Sequence, residues 1–261
     1  MRQTQAPPRS TPRTKTWPVS EVFGPTIQGE GPDQGRPAYF IRLGGCDYQH
    51  CSWCDSLFSV LPEEVRKLDR LDAPAILDRL QGLEQGPDMI VLSGGNPAMH
   101  DLSELIDLLH GDYRISVETQ GSRWHDWLRR VDRLVVSPKG PSSGMDTDKH
   151  WTETKAFLRR VEAWCQPSPK PQTWAALKIV VEDFKDYEYA IGVHKQYPWM
   201  PFYLSACTPQ PEPWRVDAEV QQWVTDQYAW LCDTVKADPD AKHAHVQCQM
   251  HVISWGTRRG V

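Results

Sequence analysis

Residues 44–56 of the chain read Gly44-Gly45-Cys46-Asp47-Tyr48-Gln49-His50-Cys51-Ser52-Trp53-Cys54-Asp55-Ser56. This stretch places three cysteines within nine residues, directly after an apolar run at residues 38–43 that is typical of a strand. Three thiolates so close together on a loop indicate a metal site rather than three separate buried side chains. Iron–sulfur clusters are usually held by four Cys thiolates, so a four-iron cluster held by three keeps one iron open to a ligand. The alternative is a zinc site with His50 as its fourth ligand, because structural zinc needs a closed shell.

The length and charge of the chain limit what it can be. Its 261 residues suit one α/β domain with a substantial core. The net charge of −5 does not attract the negatively charged phosphates of nucleic acid, so we expect no nucleic-acid partner. We expect no membrane partner either, because no apolar run approaches the ~20 residues that span a bilayer and no secretory signal is present. Seven cysteines, an odd number, argue against a disulfide framework and favour a reducing, cytoplasmic setting.

The first sixteen residues differ from the rest in composition. They contain three prolines, four basic residues and no acidic residue. Such a segment cannot bury enough apolar surface to offset the entropy lost on ordering, so residues 1–16 are predicted to be a disordered tail. Residues 17–261 are then expected to form a single domain.

Two hydrophobic periods alternate along the chain. Apolar runs predict strands at residues 38–43, 89–92, 114–117, 134–136, 176–181, 201–204 and 244–250. Helical spacing predicts helices at residues 72–83, 102–109, 124–129, 150–164, 184–196 and 217–235. Residues 19–35 are interrupted by Gly and Pro, which predicts a short strand running into an irregular loop. This alternation implies a parallel sheet. About six units fall short of a closed barrel, so we predict an α/β fold that is an open partial (β/α) barrel of about six strands.

The polar motifs follow the predicted strands. Cys46 comes after the first of them, and residues 93–97, 118–121 and 137–139 come after the next three. Because the carboxyl ends of parallel strands share one rim, these motifs are predicted to lie together there, where barrels of this type carry out their chemistry.

Cys46, Cys51 and Cys54 form a Cys-x4-Cys-x2-Cys pattern, which is similar to the Cys-x3-Cys-x2-Cys signature of radical S-adenosylmethionine (radical SAM) enzymes. The surrounding residues more specifically resemble the 7-carboxy-7-deazaguanine synthases of the 7-deazapurine (queuosine) pathway. The matching motifs are Glu21-Val22-Phe23-Gly24-Pro25-Thr26-Ile27-Gln28-Gly29-Glu30-Gly31, Cys51-Ser52-Trp53-Cys54-Asp55-Ser56, Ser93-Gly94-Gly95-Asn96-Pro97, Glu118-Thr119-Gln120-Gly121, Ser137-Pro138-Lys139 and Trp255-Gly256-Thr257-Arg258-Arg259-Gly260-Val261. They run in order over nearly the whole chain, from about residue 18 onward.

The resemblance implies a radical SAM fold with three bound groups. Cys46, Cys51 and Cys54 are implied to hold a [4Fe–4S] cluster, and the Ser56 hydroxyl, where the family usually has threonine, to bind Mg²⁺. The residues implied to contact S-adenosylmethionine are Trp53, Asp55, Gly94, Gly95, Asn96, Glu118, Thr119, Gln120, Ser137 and Lys139. Two positions depart from the family pattern: one extra residue separates Cys46 from Cys51, and Asn96 replaces a glutamate. Lys139 is alternatively an ordinary surface lysine.

The resemblance also implies a pterin site. The residues implied to contact that substrate are Ile27, Gln28, Gly29, Glu30, Arg42, Ser93, His251 and Val261. From the residues alone, Gln28 and Glu30 could equally belong to a solvated polar turn. Arg42 could form an internal ion pair, since an unpaired charge in mid-strand is costly, or it could grip the substrate carboxylate as a fork. His251 could simply face solvent.

The implied reaction converts 6-carboxy-5,6,7,8-tetrahydropterin to 7-carboxy-7-deazaguanine with loss of ammonia. A one-electron donor such as flavodoxin or ferredoxin and a homodimeric state are implied as well. Two rival interpretations are a different radical enzyme, such as one that activates a glycyl-radical partner, and a zinc-binding interaction module.

Overall fold

A computed structural model describes residues 14–47, 50–145, 147–165, 174–209 and 217–261. Its strands form one open nine-stranded sheet, ordered β3-β1-β2-β4-β5-β6-β7-β8-β9. The strands are β1 (Trp17–Ile27), β2 (Pro37–Leu43), β3 (Asp69–Leu71), β4 (Met89–Gly94), β5 (Arg114–Thr119), β6 (Arg133–Val136), β7 (Trp174–Val181), β8 (Phe202–Ala206) and β9 (Ala244–Gln247). β1 runs antiparallel to β2 and β3, whereas every pair from β2 to β9 is parallel. The predicted open partial (β/α) barrel is therefore confirmed.

Helices connect the parallel strands. They are α1 (Leu57–Val60), α2 (Pro62–Val65), α3 (Ala73–Gln81), α4 (Ser103–Leu109), α5 (Asp148–Cys165), α6 (Phe184–Gln196), α7 (Asp217–Ala237) and α8 (Met250–Trp255). Side-chain caps fix two of the starts, because Asp72 accepts a hydrogen bond from the Ala75 amide and Asp183 accepts from the amides of Lys185 and Asp186. Among the described helices, none combines the length and apolar composition needed to cross a bilayer.

The observed sheet is larger than the sequence predicted. The described residues form nine strands where about six were expected, partly because the antiparallel strands β1 and β3 extend one side of the sheet. The predicted short strand within residues 19–35 is the end of an eleven-residue β1. The predicted last strand ends at Gln247, and Met250 already begins α8. The predicted helix at residues 124–129 is a 3-10 helix, Asp126–Arg130.

The predicted tail falls largely outside the described residues. Its end is described from residue 14, and there the Lys15 ammonium lies 2.7 Å from an Asp101 carboxylate oxygen.

The two faces of the sheet have different compositions, because successive strand residues point to opposite sides. On β7, Leu177, Ile179 and Val181 pack into the main hydrophobic core. The alternate positions Lys178 and Val180 point to the other face and line a cavity. The same alternation on β2, β4 and β5 directs Arg42, Ser93 and Glu118 toward that cavity. Polar side chains thus accumulate where the parallel strands end.

Candidate active site

A cavity of about 290 Å³ opens at the carboxyl ends of the parallel strands. Its walls come from the end of β1, the cysteine loop, the ends of β2 and of β4 to β8, and the residues from α8 to Val261. The predicted site residues that line it are Ile27, Gln28, Gly29, Glu30, Arg42, Cys46, Cys51, Trp53, Cys54, Asp55, Ser56, Ser93, Gly95, Glu118, Thr119, Gln120, Ser137, Lys139, His251 and Val261. Gly94 and Asn96 are not among the lining residues. The structure therefore brings nearly all of the predicted residues to one place.

The cysteine loop is anchored to a short segment that follows β6. The Ser52 amide donates to the Ser143 carbonyl at 3.0 Å, and the Ser52 hydroxyl donates to the Ser142 carbonyl at 2.6 Å. The Trp53 indole N–H donates to the Ser142 hydroxyl at 3.0 Å. These bonds fix the loop, whose three cysteines all line the cavity. The Cys51 thiol also donates to the Met145 sulfur at 3.4 Å.

The three thiols are neutral at neutral pH when no metal is bound. Burial raises the pKa of Cys46 and Cys54 to about 12, and the carboxylates of Asp47 and Asp55 add to these shifts. Burial also raises the pKa of Cys51. The Lys139 ammonium opposes the shift at all three. Binding of a metal centre therefore has to release these protons.

Within the described residues, no three His, Cys, Asp or Glu side chains converge on a point where one metal ion could bind. A four-iron cluster instead distributes its thiolates over separate irons.

Two glycines at the end of β4, Gly94 and Gly95, allow the backbone there to approach that of residues 43–46 closely. A Cβ on Gly94, whose φ is 133°, would collide with the Leu43 backbone. A Cβ on Gly95 would collide with the Gly45 carbonyl and approach the Cys46 amide. The Asn96 amide accordingly donates to the Gly45 carbonyl at 2.8 Å. Glycine is needed here because the end of β4 packs directly on the start of the cysteine loop.

Asn96 is fully buried and faces the protein rather than the cavity. Its side-chain oxygen accepts from the Thr119 hydroxyl at 2.8 Å and from the Ala98 amide at 3.2 Å. Its side-chain nitrogen donates to Asp47 and to Ser122, both at 3.0 Å. Its side chain is thereby committed to protein partners.

Asp47 is the centre of that network. Its side chain is only 2% exposed and also accepts hydrogen bonds from Gln120 and Ser122, while the Arg123 guanidinium lies 3.4 Å away. The carboxylate thus connects the cysteine loop to the ends of β4 and β5.

Elsewhere on the cavity wall, two carboxylates share one buried ammonium. The Lys178 Nζ donates to Glu30 Oε2 at 2.6 Å and to Glu118 Oε2 at 2.8 Å. Gln28 Nε2 donates to Glu118 Oε1 at 2.8 Å, and Gln249 Nε2 donates to Glu30 Oε1 at 2.7 Å. We call these five residues the carboxylate–lysine network. Glu118, which the sequence assigned to S-adenosylmethionine, lies in this network with Gln28.

Arg42 forms an internal ion pair at the mouth of the cavity. Its Nε donates to Glu21 at 2.8 Å, and its Nη1 donates to the Ser56 hydroxyl at 3.1 Å. The Ser56 hydroxyl in turn donates to Asp55 at 2.8 Å. Arg259 binds the other oxygen of Glu21 at 2.9 Å, so the residues after α8 are tied to β1.

His251 lies against the loop that follows β1. A Cβ on Gly29 would collide with the His251 ring, and the Met250 amide donates to the Gly29 carbonyl at 3.1 Å. Three further buried polar atoms on the cavity wall lack a hydrogen-bond partner within the described part of the chain, namely Ser93 Oγ, Thr208 Oγ1 and Gln249 Oε1. Such atoms are suited to bind a polar ligand.

Comparison with known proteins places the chain in a family. A scan against models of protein families finds no match. The 7-carboxy-7-deazaguanine synthase of Bacillus cereus is 37% identical over 247 residues, which cover 94% of this chain and 98% of that protein. The enzyme of the same name from Bacillus subtilis is 36% identical over 249 residues, again 94% of this chain and 98% of the relative. The chain belongs to the 7-carboxy-7-deazaguanine synthase family.

A solved structure supports the fold. The crystal structure of QueE from Escherichia coli matches with a TM-score of 0.61 and 22% identity, covering 90% of this chain and 94% of that one. Membership of the 7-carboxy-7-deazaguanine synthase family makes the chain a radical SAM enzyme, with a [4Fe–4S] cluster and S-adenosylmethionine as cofactors. The glycyl-radical activase and zinc-module alternatives are set aside on this ground.

The cavity suits those cofactors of the 7-carboxy-7-deazaguanine synthase family. The cysteines among its lining residues are Cys46, Cys51 and Cys54. Lys139 lies 3.2 Å from the Ser137 hydroxyl, with its ammonium 5.5 Å from the centre of the Trp53 ring. The Lys139 ammonium can attract an anionic cluster and can donate hydrogen bonds to the carboxylate of S-adenosylmethionine, while the Trp53 ring helps to hold that ammonium in place.

Sequence reasoning missed Lys178, Asp47 and Gln249. The signal for Lys178 was available, because a lysine within the apolar run Ala176-Leu177-Lys178-Ile179-Val180 is as anomalous as Arg42 in its own strand. Asp47 and Gln249 carried no comparable signal, since polar residues in loops are ordinary.

Proposed function

We propose that this chain converts 6-carboxy-5,6,7,8-tetrahydropterin to 7-carboxy-7-deazaguanine and ammonia, in 7-deazapurine (queuosine) biosynthesis. The observation that carries the proposal is that the three cysteines and the carboxylate–lysine network line the same cavity. Family membership supports the same reaction. The net conversion removes one ammonia from the pterin and needs no net oxidant.

We propose that Cys46, Cys51 and Cys54 hold the cluster and that the wall beside them holds S-adenosylmethionine. When bound, the cluster and S-adenosylmethionine would together supply a radical able to remove hydrogen from the substrate. The protein contributes position and a site closed to water. Asn96 is proposed to act indirectly, through its hydrogen bonds to Thr119 and Asp47. The residues proposed to contact S-adenosylmethionine are Trp53, Asp55, Gly94, Gly95, Thr119, Gln120, Ser137 and Lys139.

The pterin is proposed to lie against the carboxylate–lysine network. Its amino-pyrimidinone edge presents adjacent N–H donors, and ionised Glu30 and Glu118 are acceptors only. Burial raises the pKa of Glu30, but the nearby charges of Lys178 and His251 lower it to about 2, so this carboxylate is ionised at neutral pH. The remaining residues proposed to surround the pterin are Ile27, Gln28, Gly29, Ser93, His251 and Val261.

The substrate carboxylate is proposed to bind near Arg42, with Mg²⁺ at Ser56. An arginine fork suits a carboxylate, and Mg²⁺ prefers hard oxygen ligands such as the Ser56 hydroxyl and the Asp55 carboxylate beside it. Arg42 now donates to that hydroxyl, so Mg²⁺ binding requires Arg42 to turn away from Ser56 toward the substrate.

Three further features are proposed from the resemblance. The electron donor is a small redox protein such as flavodoxin or ferredoxin. The enzyme acts in the cytoplasm as a homodimer, without nucleic-acid or membrane partners. An oxygen-sensitive cluster supports the choice of a reducing compartment.

Anaerobic turnover tests the proposed function. The reconstituted protein, given reductant, S-adenosylmethionine, Mg²⁺ and the carboxypterin, should form 7-carboxy-7-deazaguanine and ammonia in equal amounts, measured by mass spectrometry and an ammonia assay. The Cys54→Ala variant is the matched control and should form neither. Cleavage of S-adenosylmethionine without any deazaguanine would overturn the substrate assignment while leaving the radical chemistry intact.

A further inference from the structure

Lys178 occupies a position where a lysine is not expected. It lies in the middle of β7 between Leu177 and Ile179, both of which are fully buried. The Lys178 side chain is 6% exposed and lines the cavity. Burying an ammonium is costly unless it is paired and hydrogen-bonded. A lysine here therefore needs both a compensating set of partners and a reason for its presence.

The partners of Lys178 are two carboxylates, which accept two of the three hydrogen bonds that its ammonium can donate. An ammonium has three N–H donors. Two of them bind Glu30 and Glu118 at 2.6 and 2.8 Å. The third has no protein acceptor within the described part of the chain, although Lys178 lines the cavity. That donor is available to a ligand.

The second oxygen of each carboxylate is also held in place. Gln28 binds Glu118, and Gln249 binds Glu30. Each carboxylate is therefore fixed by an amide on one oxygen and by Lys178 on the other. Despite its burial, the neighbouring carboxylates raise the pKa of Lys178, so all three charges of the network coexist. With both carboxylates ionised the network has a net charge of −1, and it offers a ligand carboxylate acceptors and one N–H donor.

We propose that Lys178 is a specificity-determining residue that binds the 4-oxo carbonyl of the pterin while it orients Glu30 and Glu118 toward the neighbouring N–H groups. The inference rests on the proposed function, because it assigns a role within the same substrate site. A ligand that matches the network needs a carbonyl acceptor beside ring and exocyclic N–H donors. The amino-pyrimidinone edge of a pterin has this pattern, whereas a ligand without the carbonyl would leave the third N–H unpaired.

Substrate binding by the Lys178→Met variant tests the proposal. Methionine has a similar length but neither charge nor donor. The reconstituted holoenzyme is titrated anaerobically by calorimetry, without reductant, using the carboxypterin and its 4-thioxo analogue, which keeps the N–H donors but has a weaker acceptor. The wild type should prefer the 4-oxo compound by about tenfold or more, since a lost charged hydrogen bond has that effect. The variant should bind the 4-oxo compound about tenfold to a hundredfold more weakly and lose the preference.

The matched control is Lys195→Met. Lys195 is an exposed lysine on α6, paired with Asp240 and remote from the cavity. This variant should keep both the affinity and the preference of the wild type. Conversion of Lys178 to Arg should retain the positive charge and recover part of the preference.

A second pair of variants covers the case in which Lys178→Met does not fold because it buries two unpaired carboxylates. Lys178→Met combined with Glu30→Gln removes one negative charge along with the ammonium, so the net charge of the network stays at −1. Its selectivity is compared with that of Glu30→Gln alone. The double variant should lose the 4-oxo preference, while the single variant keeps it.

The outcomes separate this proposal from the proposed function. If the wild type fails to bind the carboxypterin, the proposed function is wrong. If the wild type binds it, and removal of Lys178 changes neither the affinity nor the 4-oxo preference by more than about twofold, the role of Lys178 is wrong and the proposed function stands.

Discussion

Asp47 is a buried carboxylate that fixes the positions of several residues beside the cavity through hydrogen bonds. It follows the cluster ligand candidate Cys46 and accepts hydrogen bonds from Asn96, Gln120 and Ser122. The family pattern has a glutamate where this chain has Asn96, and here Asp47 places a carboxylate beside that asparagine. The Asp47 carboxylate thus joins the cysteine loop to Asn96 and to the residues after β5.

The Asp47→Asn variant should be less stable than the wild type. An amide in place of this carboxylate brings an NH₂ donor against groups that themselves donate. A buried donor left without an acceptor lowers the free energy of unfolding by about 1–3 kcal/mol. Urea denaturation of the metal-free protein measures the loss. Asp69→Asn, which changes an exposed carboxylate paired with Arg79, is the control and should have little effect. Equal losses in the two variants would contradict a special role for Asp47.

Protonation of Glu30 should make the free energy of unfolding depend on pH in the acidic range. Its pKa, about 2, is below the ordinary 4.5, so its ionised form stabilises the fold above about pH 4.5. That contribution is lost as the pH falls from 4.5 toward 2, as Glu30 takes up a proton and its bond to Lys178 weakens. The Glu30→Gln variant should therefore show a smaller decrease in unfolding free energy than the wild type between pH 5 and 3.

Denaturant titrations at several pH values measure this difference. Glu63→Gln, at an exposed position on α2, is the matched control and should follow the wild-type curve. Parallel curves for wild type and Glu30→Gln would show that the carboxylate–lysine network does not hold Glu30 in its ionised form.

At the scale of elements, the end of β4 and the cysteine loop depend on each other. Gly94 and Gly95 pack on the backbone of residues 43–46, and Asn96 donates to the Gly45 carbonyl. The other side of the cysteine loop is anchored to the segment at residues 142–143. The loop is therefore held between the end of β4 and the segment that follows β6.

The Gly95→Ala variant should bind less iron than the wild type. The added Cβ meets backbone atoms of Gly45 and Cys46, which cannot move aside without shifting the first cysteine. Iron per chain after anaerobic reconstitution measures the effect. Gly192→Ala is the control, because nothing lies within 4 Å of a Cβ there and alanine favours the helix α6. A Gly95→Ala protein with wild-type iron content would contradict this account of the loop.

The elements that could be predicted from sequence are those with a strong local pattern. Strands β2 and β4 to β8 are apolar runs, and the motifs that follow β2, β4, β5 and β6 meet at one rim as expected. β3 could not be predicted, because Asp69-Arg70-Leu71 is polar and joins the sheet only through pairing with β1. The partners of Lys178 could not be predicted either, since Glu30 lies 148 residues away in sequence and Glu118 lies 60 away.

At the scale of the whole molecule, the open sheet brings distant segments to one cavity. The parallel strands supply the back wall, the cysteine loop one side, and the residues after α8 close the mouth through the Arg259–Glu21 contact. The cavity is thus lined both by the three cysteines and by the carboxylate–lysine network, and Gln249 joins the two because its amide donates to Glu30 and to Asp55 of the cysteine loop.

The most direct test of the central claim is electron paramagnetic resonance of the anaerobically reconstituted and reduced protein, recorded with and without S-adenosylmethionine. The account predicts about four iron and four sulfide per chain, and a cluster signal that changes when S-adenosylmethionine binds the iron that no cysteine holds. The signal should be absent from Cys46→Ala, Cys51→Ala and Cys54→Ala. A cluster signal that S-adenosylmethionine leaves unchanged, or a protein that takes up only zinc, would contradict the account.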